Sequence, residues 1–171
     1  MKKRKLLSAC AVVLFLYGSV FNVAAARENK PIVLLVVMDG LRPDYISPEL
    51  MPNLHALGAA GVIAEKHHSV FPSMTRVNAA SIATGSYPSK HGLLHNTIFI
   101  PAASPNPIDT SDAEALLNVE KKTGGHLLTT ESLGEIMDQK GKKLFVAGSS
   151  STGASLLLNQ KAKGDGIWNS R

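Results

Sequence analysis

The sequence predicts an α/β protein: an α/β/α sandwich with a mainly parallel central sheet. Three observations carry that expectation. The run Ile32–Met38 is continuously apolar and ends abruptly at Asp39-Gly40, the pattern of a strand covered on both faces. A second short apolar run, Leu144–Ala147, leads through the polar turn Gly148-Ser149-Ser150-Ser151 into a further helical segment. Between and after these runs lie segments with helical spacing, and strands alternating with helices imply a layered sheet.

The elements follow in order. Pro52 can open a helix at its first position, Leu54 and Leu57 supply an apolar stripe, and Gly61 can close it. A second strand is expected within Val62–Val70, then a short helix of small residues from Thr75 to Thr84, then the turn Gly85–Pro88. Residues Pro101 to Gly125 lack clean periodicity and hold three of the nine prolines, so this stretch reads as a surface insertion or subdomain of little chemical content. Regularity returns at Thr130. Glu131 falls in a first helical turn, Leu133, Ile136 and Met137 share a face, and Lys140-Gly141 marks the end. A last helix is expected around Ala154–Asn159. The chain stops at Trp168-Asn169-Ser170-Arg171 without a capped element and reads as cut rather than finished, so the sandwich is expected to be truncated.

Composition narrows the function. The chain has 171 residues, of which 44% are hydrophobic and 18% charged, which excludes a disordered, collagen-like or coiled-coil protein. The formal charge of +5 is concentrated at one end. Without Lys2, Lys3, Arg4 and Lys5, 14 of the 18 basic residues remain against 13 acidic ones, a net of +1. A near-neutral body gives no electrostatic reason for binding a nucleic-acid duplex. A single cysteine, Cys10, excludes a disulfide framework and any paired-cysteine zinc or redox site.

The N-terminus has the parts of an export signal: a basic start, an apolar stretch from Leu6 to Phe21, and Ala24-Ala25-Ala26 as a small-residue cleavage site before Arg27. Residues 1–26 are therefore expected to be a signal peptide and residues 27–171 the mature part of this chain. The alternative is an uncleaved anchor, since Leu6–Val23 is close to spanning length, but Gly18, Ser19 and Asn22 interrupt it. Leu7-Ser8-Ala9-Cys10 faintly resembles a lipoprotein box, yet the apolar run continues beyond Cys10. After cleavage there is no stable membrane insertion, and the expected location is periplasmic or secreted.

Three features concern chemistry. Asp39 follows the first expected strand, where ligands collect in open α/β sheets. There it is either a ligand for a hard or borderline cation or a cap for the following turn. Phe71-Pro72-Ser73-Met74-Thr75-Arg76-Val77-Asn78 places hydroxyls just before a helix, a location favourable to an oxyanion. Ser73 or Thr75 there is either a nucleophile needing a base or metal or simply the helix cap. Asn96, after the turn, can donate its amide to a developing oxyanion or bond its own backbone.

In combination, Met38-Asp39-Gly40, Phe71-Pro72-Ser73-Met74-Thr75 and Ala83-Thr84-Gly85-Ser86-Tyr87-Pro88-Ser89-Lys90-His91-Gly92 closely resemble the start of the alkaline phosphatase superfamily. The nearest branch is the type I phosphodiesterase/nucleotide pyrophosphatase family, matched well over Pro31–Asn96 and more loosely over Thr130–Asn159. The resemblance implies an alkaline-phosphatase-like fold, with residues 27–171 as the N-terminal part of its catalytic domain and Asp39 binding one of two divalent cations, zinc by that likeness. Thr75 would be the metal-activated nucleophile, and Asn96, 21 residues later in His-Gly-Leu-Leu-His-Asn, the oxyanion donor. The implied reaction is displacement at phosphorus through a phosphothreonine that water then hydrolyses. Its substrates would be small phosphate esters, including nucleotides.

The family's remaining metal ligands, an Asp-x-x-x-His and an Asp-His pair, do not occur in these 171 residues. Asp39 and Thr75 alone cannot hold two cations. The chain is therefore expected to be part of a longer protein, or else a non-catalytic remnant. Within the same superfamily, a phosphomonoesterase or phosphonate hydrolase is the neighbouring alternative. The sulfatase pattern Cys/Ser-x-Pro-x-Arg is not met, because Val70 stands two residues before Pro72.

Other residues carry weaker expectations. His67-His68 would point to opposite faces of a strand, His55 is expected to be solvated, and His91 to be structural. His95 stands next to Asn96 and is open to a substrate contact. Arg76 has either a phosphate or a surface ion pair as partner, and Asn78 shares the face of Thr75. The export signal predicts a mature protein beginning at Arg27. N-terminal sequencing of the secreted form, with its intact mass, checks this; retention of residues 1–26 would show an anchor instead.

Overall fold

The structure is a computed structural model that describes residues 31–161 and 166–170. The expected signal peptide and Cys10 lie outside the described residues. The chain divides into two units, Met1–Met38 and Asp39–Arg171. Of the first unit, residues 31–38 are described; they form no regular element and their side chains are open, from 95% exposure at Ile32 to 45% at Met38. The expected first strand is thus not formed. An apolar run becomes a strand only when a neighbouring chain accepts its backbone hydrogen bonds, and no ladder to this run exists among the described residues.

In the second unit, a 3-10 turn at Pro43–Tyr45 precedes helix α1 (Pro52–Ala60), with proline at its first position and Gly61 at its end. Helix α2 (Thr75–Thr84) ends at Gly85. The short helix α3 (Pro88–His91) leads into strand β1 (Thr97–Ile98), which pairs antiparallel with β2 (Ile108–Asp109). Then come α4 (Ala113–Lys122), α5 (Leu133–Gln139), β3 (Phe145–Ser149), α6 (Thr152–Leu158) and β4 (Gly166–Ser170). Strands β3 and β4 run parallel in register Phe145↔Gly166 to Ser149↔Ser170, with α6 as their crossover.

The mainly parallel central sheet expected from the sequence is therefore reduced, among the described residues, to one two-stranded parallel sheet and one two-stranded antiparallel hairpin. The strand expected within Val62–Val70 is also absent. That segment turns at Ala64–His67, and Val62 is 96% exposed, so it has neither a pairing edge nor a buried face. Residues Gly166–Ser170, where the sequence shows no capped element, form β4.

Helix signals fared better because they act locally. Thr75–Thr84 forms as expected. The helix expected from Thr130 starts at Leu133, where Ser132 and Glu135 close a reciprocal capping box. Its expected apolar face is not the buried one: Leu133 and Ile136 are exposed, while Gly134 packs beside Asn159. The stretch Pro101–Gly125 contains α4, capped by Asp112, whose carboxylate accepts the Glu114 N–H at 2.9 Å. Leu116 and Val119 of α4 are fully buried, so this stretch forms part of the core.

That core joins Ala79 and Ala80 of α2 to Leu93, Ile108, Leu116, Val119, Leu127, Leu128, Leu156 and Leu157. Each fully buried leucine contributes roughly 1.5–3 kcal/mol by leaving water. Small side chains on α2 let α6 pack closely against it. No helix among the described residues is long and apolar enough to cross a membrane.

His91 is the polar rivet of this assembly. Its ring is fully buried, Nδ1 accepts the Leu93 N–H at 3.2 Å, and Nε2 therefore donates to Ser81 Oγ at 2.8 Å. Next to it, the Lys90 carbonyl accepts the hydroxyls of Thr129 and Thr130 at 2.6 and 2.9 Å. Burial pushes the His91 imidazole below its ordinary range. Its contribution to stability is then complete above about pH 6.5 and declines as the pH falls below that value, because the unfolded chain takes up a proton that the folded chain resists. Thermal melts between pH 7.5 and 5 should show that decline. A His91→Gln variant should start about 1–3 kcal/mol less stable and lose most of the acid dependence.

Candidate active site

The site is built on the first turn of α2. Met74 takes the N-cap position in extended conformation, and no side chain caps the helix. Thr75 is its first residue. Rather than capping, the Thr75 hydroxyl donates to Asp39 Oδ2 at 2.8 Å, across 36 positions of sequence. Asp39 sits in a turn closed by Gly40, whose φ of +75° is the left-handed conformation glycine adopts without strain. Asp39 is exposed and Thr75 half-buried, so the pair faces solvent. One carboxylate oxygen and one hydroxyl oxygen thus converge at the start of a helix whose N-cap residue offers no side-chain bond.

Asn78 sets the approach to Thr75. Its Oδ1 accepts the Val70 N–H at 3.1 Å, and its Nδ2 donates to the carbonyl of Met74 at 3.0 Å and that of Pro72 at 3.5 Å. This one side chain holds both ends of the loop 70–74, which contains the cis Phe71–Pro72 peptide.

Asn96 comes to the same turn from the other side. Its Oδ1 accepts the Arg76 N–H at 3.4 Å. No acceptor for its Nδ2 group is found among the described residues, which leaves those protons available. The Asn96 carbonyl accepts both the N–H and the hydroxyl of Thr110, at 2.9 and 2.6 Å. Arg76 follows the ion-pair alternative: its Nε donates to Thr110 Oγ1 at 3.4 Å and its guanidinium lies 3.6 Å from Asp109. The Ser111 N–H, donating to Asp109 Oδ1 at 2.9 Å, holds that carboxyl below its usual value, with Ser111 and Arg76 adding to the effect.

None of the remaining candidate side chains is hydrogen-bonded to Asp39, Thr75 or Asn96 among the described residues. Ser73 is exposed and bonds no helix end; His67 and His68 are exposed in a coil rather than on a strand; His55 is exposed on α1. His95 is exposed, with its Nδ1 accepting the Thr97 N–H at 3.0 Å. Among the described residues no three of His, Cys, Asp or Glu cluster as a metal site. Sequence reasoning missed Asp109 and Thr110 altogether. The signal was Ser111-Asp112-Ala113-Glu114, a helix-start pattern that would have ended the supposed insertion and drawn attention to the hairpin before it.

Comparison with known proteins identifies the family. The sequence model of the family described as type I phosphodiesterase / nucleotide pyrophosphatase matches residues 33–155. Venom phosphodiesterase 2 of Crotalus adamanteus is 40% identical over 77 residues, 44% of this chain and 9% of that protein. An ectonucleotide pyrophosphatase/phosphodiesterase of Caenorhabditis elegans is 34% identical over 77 residues, 45% of this chain and 9% of that protein. An uncharacterized pyrophosphatase/phosphodiesterase of Schizosaccharomyces pombe is 33% identical over 97 residues, 57% of this chain and 20% of that protein. The chain thus spans only a small part of these relatives' length. No solved structure matches.

Removing the Asn78 side chain leaves the Val70 N–H without its acceptor. Asn78→Ala should therefore lower stability by about 1–3 kcal/mol, read as a shift in denaturation midpoint at constant slope. An unchanged midpoint would show that the loop 70–74 holds itself.

Proposed function

The chain belongs to the type I phosphodiesterase/nucleotide pyrophosphatase family, and we propose that its protein hydrolyses phosphodiester or pyrophosphate bonds of small phosphate esters, nucleotides among them, with Thr75 as nucleophile. The observation that carries this reading is the 2.8 Å hydrogen bond from the Thr75 hydroxyl to Asp39.

In the proposed reaction Thr75 Oγ1 attacks phosphorus and the bond from phosphorus to the leaving oxygen breaks. The hydroxyl proton passes to solvent, and the leaving oxygen takes up a proton as it departs. The Nδ2 group of Asn96 donates to a non-bridging oxygen, where charge builds in the transition state. Water then cleaves the phosphothreonine and restores the hydroxyl. Asp39 and Thr75 offer oxygen donors of the kind a divalent cation takes, and the charge of bound zinc would favour the alkoxide of Thr75 over its alcohol. Two such cations are expected from the family. Asp39 and Thr75 would supply part of one such cation's ligands. The basic start Lys2–Lys5 and the apolar stretch after it support a periplasmic or secreted location.

The test is hydrolysis of an aryl phosphodiester by the purified natural protein supplied with zinc. Cleavage is expected, with loss on chelation and recovery on adding the metal back. Thr75→Ala should lower kcat at least about a thousandfold. Intact activity in that variant would remove Thr75 as nucleophile, and an inert zinc-loaded wild type would overturn the enzyme reading.

A further inference from the structure

The stretch between Pro101 and Gly125 reads in the sequence as a surface insertion, yet its middle reaches the site. We propose that Thr110 is a positioning residue for Asn96, part of a shelf formed by residues 109–113 that holds the oxyanion donor against the first turn of α2. The proposal rests on the reading of Asn96 as that donor.

Two donors of one fully buried residue converge on one acceptor. The Thr110 N–H and hydroxyl both bond the Asn96 carbonyl. Pairing of Thr97 with Asp109 continues this clamp into the β1–β2 hairpin. The shelf also reaches α2 directly, because Arg76 donates through Nε to the same Thr110 hydroxyl and lies beside Asp109. The Arg76 N–H holds Asn96 Oδ1. Asn96 is therefore gripped through its main chain by the shelf and through its side chain by the helix that carries Thr75. Its Nδ2 protons are left to point elsewhere.

The back of the shelf is anchored on α6. The Ser111 carbonyl accepts the Gly153 N–H at 2.8 Å and the Thr152 hydroxyl at 3.3 Å, and the Thr152 hydroxyl accepts the Ala113 N–H at 3.1 Å. A Cβ at Gly153 would collide with the Thr110 carbonyl, so only glycine lets the shelf sit this close. Thr110 is thus braced from behind and directed forward at a single carbonyl. A donor misplaced by a fraction of an ångström loses much of its effect on a transition state, and this bracing gives the Asn96 amide a fixed location.

Thr110→Val keeps the shape and removes the hydroxyl, whereas Thr110→Ser keeps the hydroxyl. With the zinc-loaded natural protein and an aryl phosphodiester, Thr110→Val should lower kcat on the order of tenfold with little change in KM, and Thr110→Ser should restore it. Because Thr110 acts through Asn96, the double variant with Asn96→Ala should be no slower than Asn96→Ala alone. A loss that adds in full would overturn the proposal. The second readout needs no activity: nitrogen-15 relaxation of the Asn96 side-chain amide in the metal-free protein. That amide should gain mobility in Thr110→Val and regain its order in Thr110→Ser. Unchanged mobility in Thr110→Val overturns the positioning role. An Asn96→Ala variant as fast as wild type would instead overturn the donor reading, with the relaxation result still deciding what Thr110 does.

Discussion

The arrangement depends on the close approach of α2 to α6. Ala79, Ala80, Ser81 and Ala83 are buried on α2, and Ala80 is fully enclosed together with Leu157 of α6. Interiors pack at crystal-like density, so a larger side chain on that face would force the two helices apart. Thr75 and Arg76 are the first two residues of α2, and their places follow from where the buried face docks. The α6 helix holds the 109–113 segment by its own first turn. One apolar contact thus sets the distance between the nucleophile candidate and the residues that grip Asn96.

Polar groups inside the protein do much of the locating. Thr110, Ser132, His91, Asn159 and Gln160 are buried with the leucines, and an unmet hydrogen bond in that setting costs more than a met one gains. Most are answered: His91 by Ser81 and Leu93, Ser132 by Glu135, and Thr110 by Asn96. Glu120 of α4 accepts the Leu127 N–H and pairs with Lys161, which also donates to the Gly125 carbonyl, and this ties the segment after α4 to the residues that follow α6. Among the described residues, Gln160 Oε1 and Asn169 Oδ1 are left without partners. These buried bonds give direction to a core whose apolar contacts alone would allow sliding.

The uncovered apolar surface lies elsewhere. Phe71, Val62 and the run 32–37 are mostly open, and Phe145 with Trp168 leaves the outer face of the parallel pair exposed. Local signals could not show this. The run Ile32–Met38 has the composition of a covered strand, but composition describes what a segment tolerates, while pairing depends on a distant stretch reaching it. The same reasoning explains β4, which ends the described chain with no turn or alternation to announce it, and the two-residue strands β1 and β2, too short to have a period.

Sequence alone determined the local events: the start of α1 at Pro52, the extent of α2 from Thr75 to its end at Gly85, the end of α5 near Lys140-Gly141, and the family. Those features depend on proline, glycine and short-range spacing, where the physics spans only a few residues. It also pointed to Asp39, Thr75 and Asn96 through the motifs that contain them. Tertiary structure decided the rest. It directed the Thr75 hydroxyl to Asp39 instead of to the helix end, and paired Arg76 with Asp109. It buried His91 as a neutral rivet, and it brought Thr110 from a stretch without periodicity to the Asn96 carbonyl. Each of these contacts joins residues distant in sequence or sets a buried group's partner, and no local rule specifies which of several possible partners folding will supply.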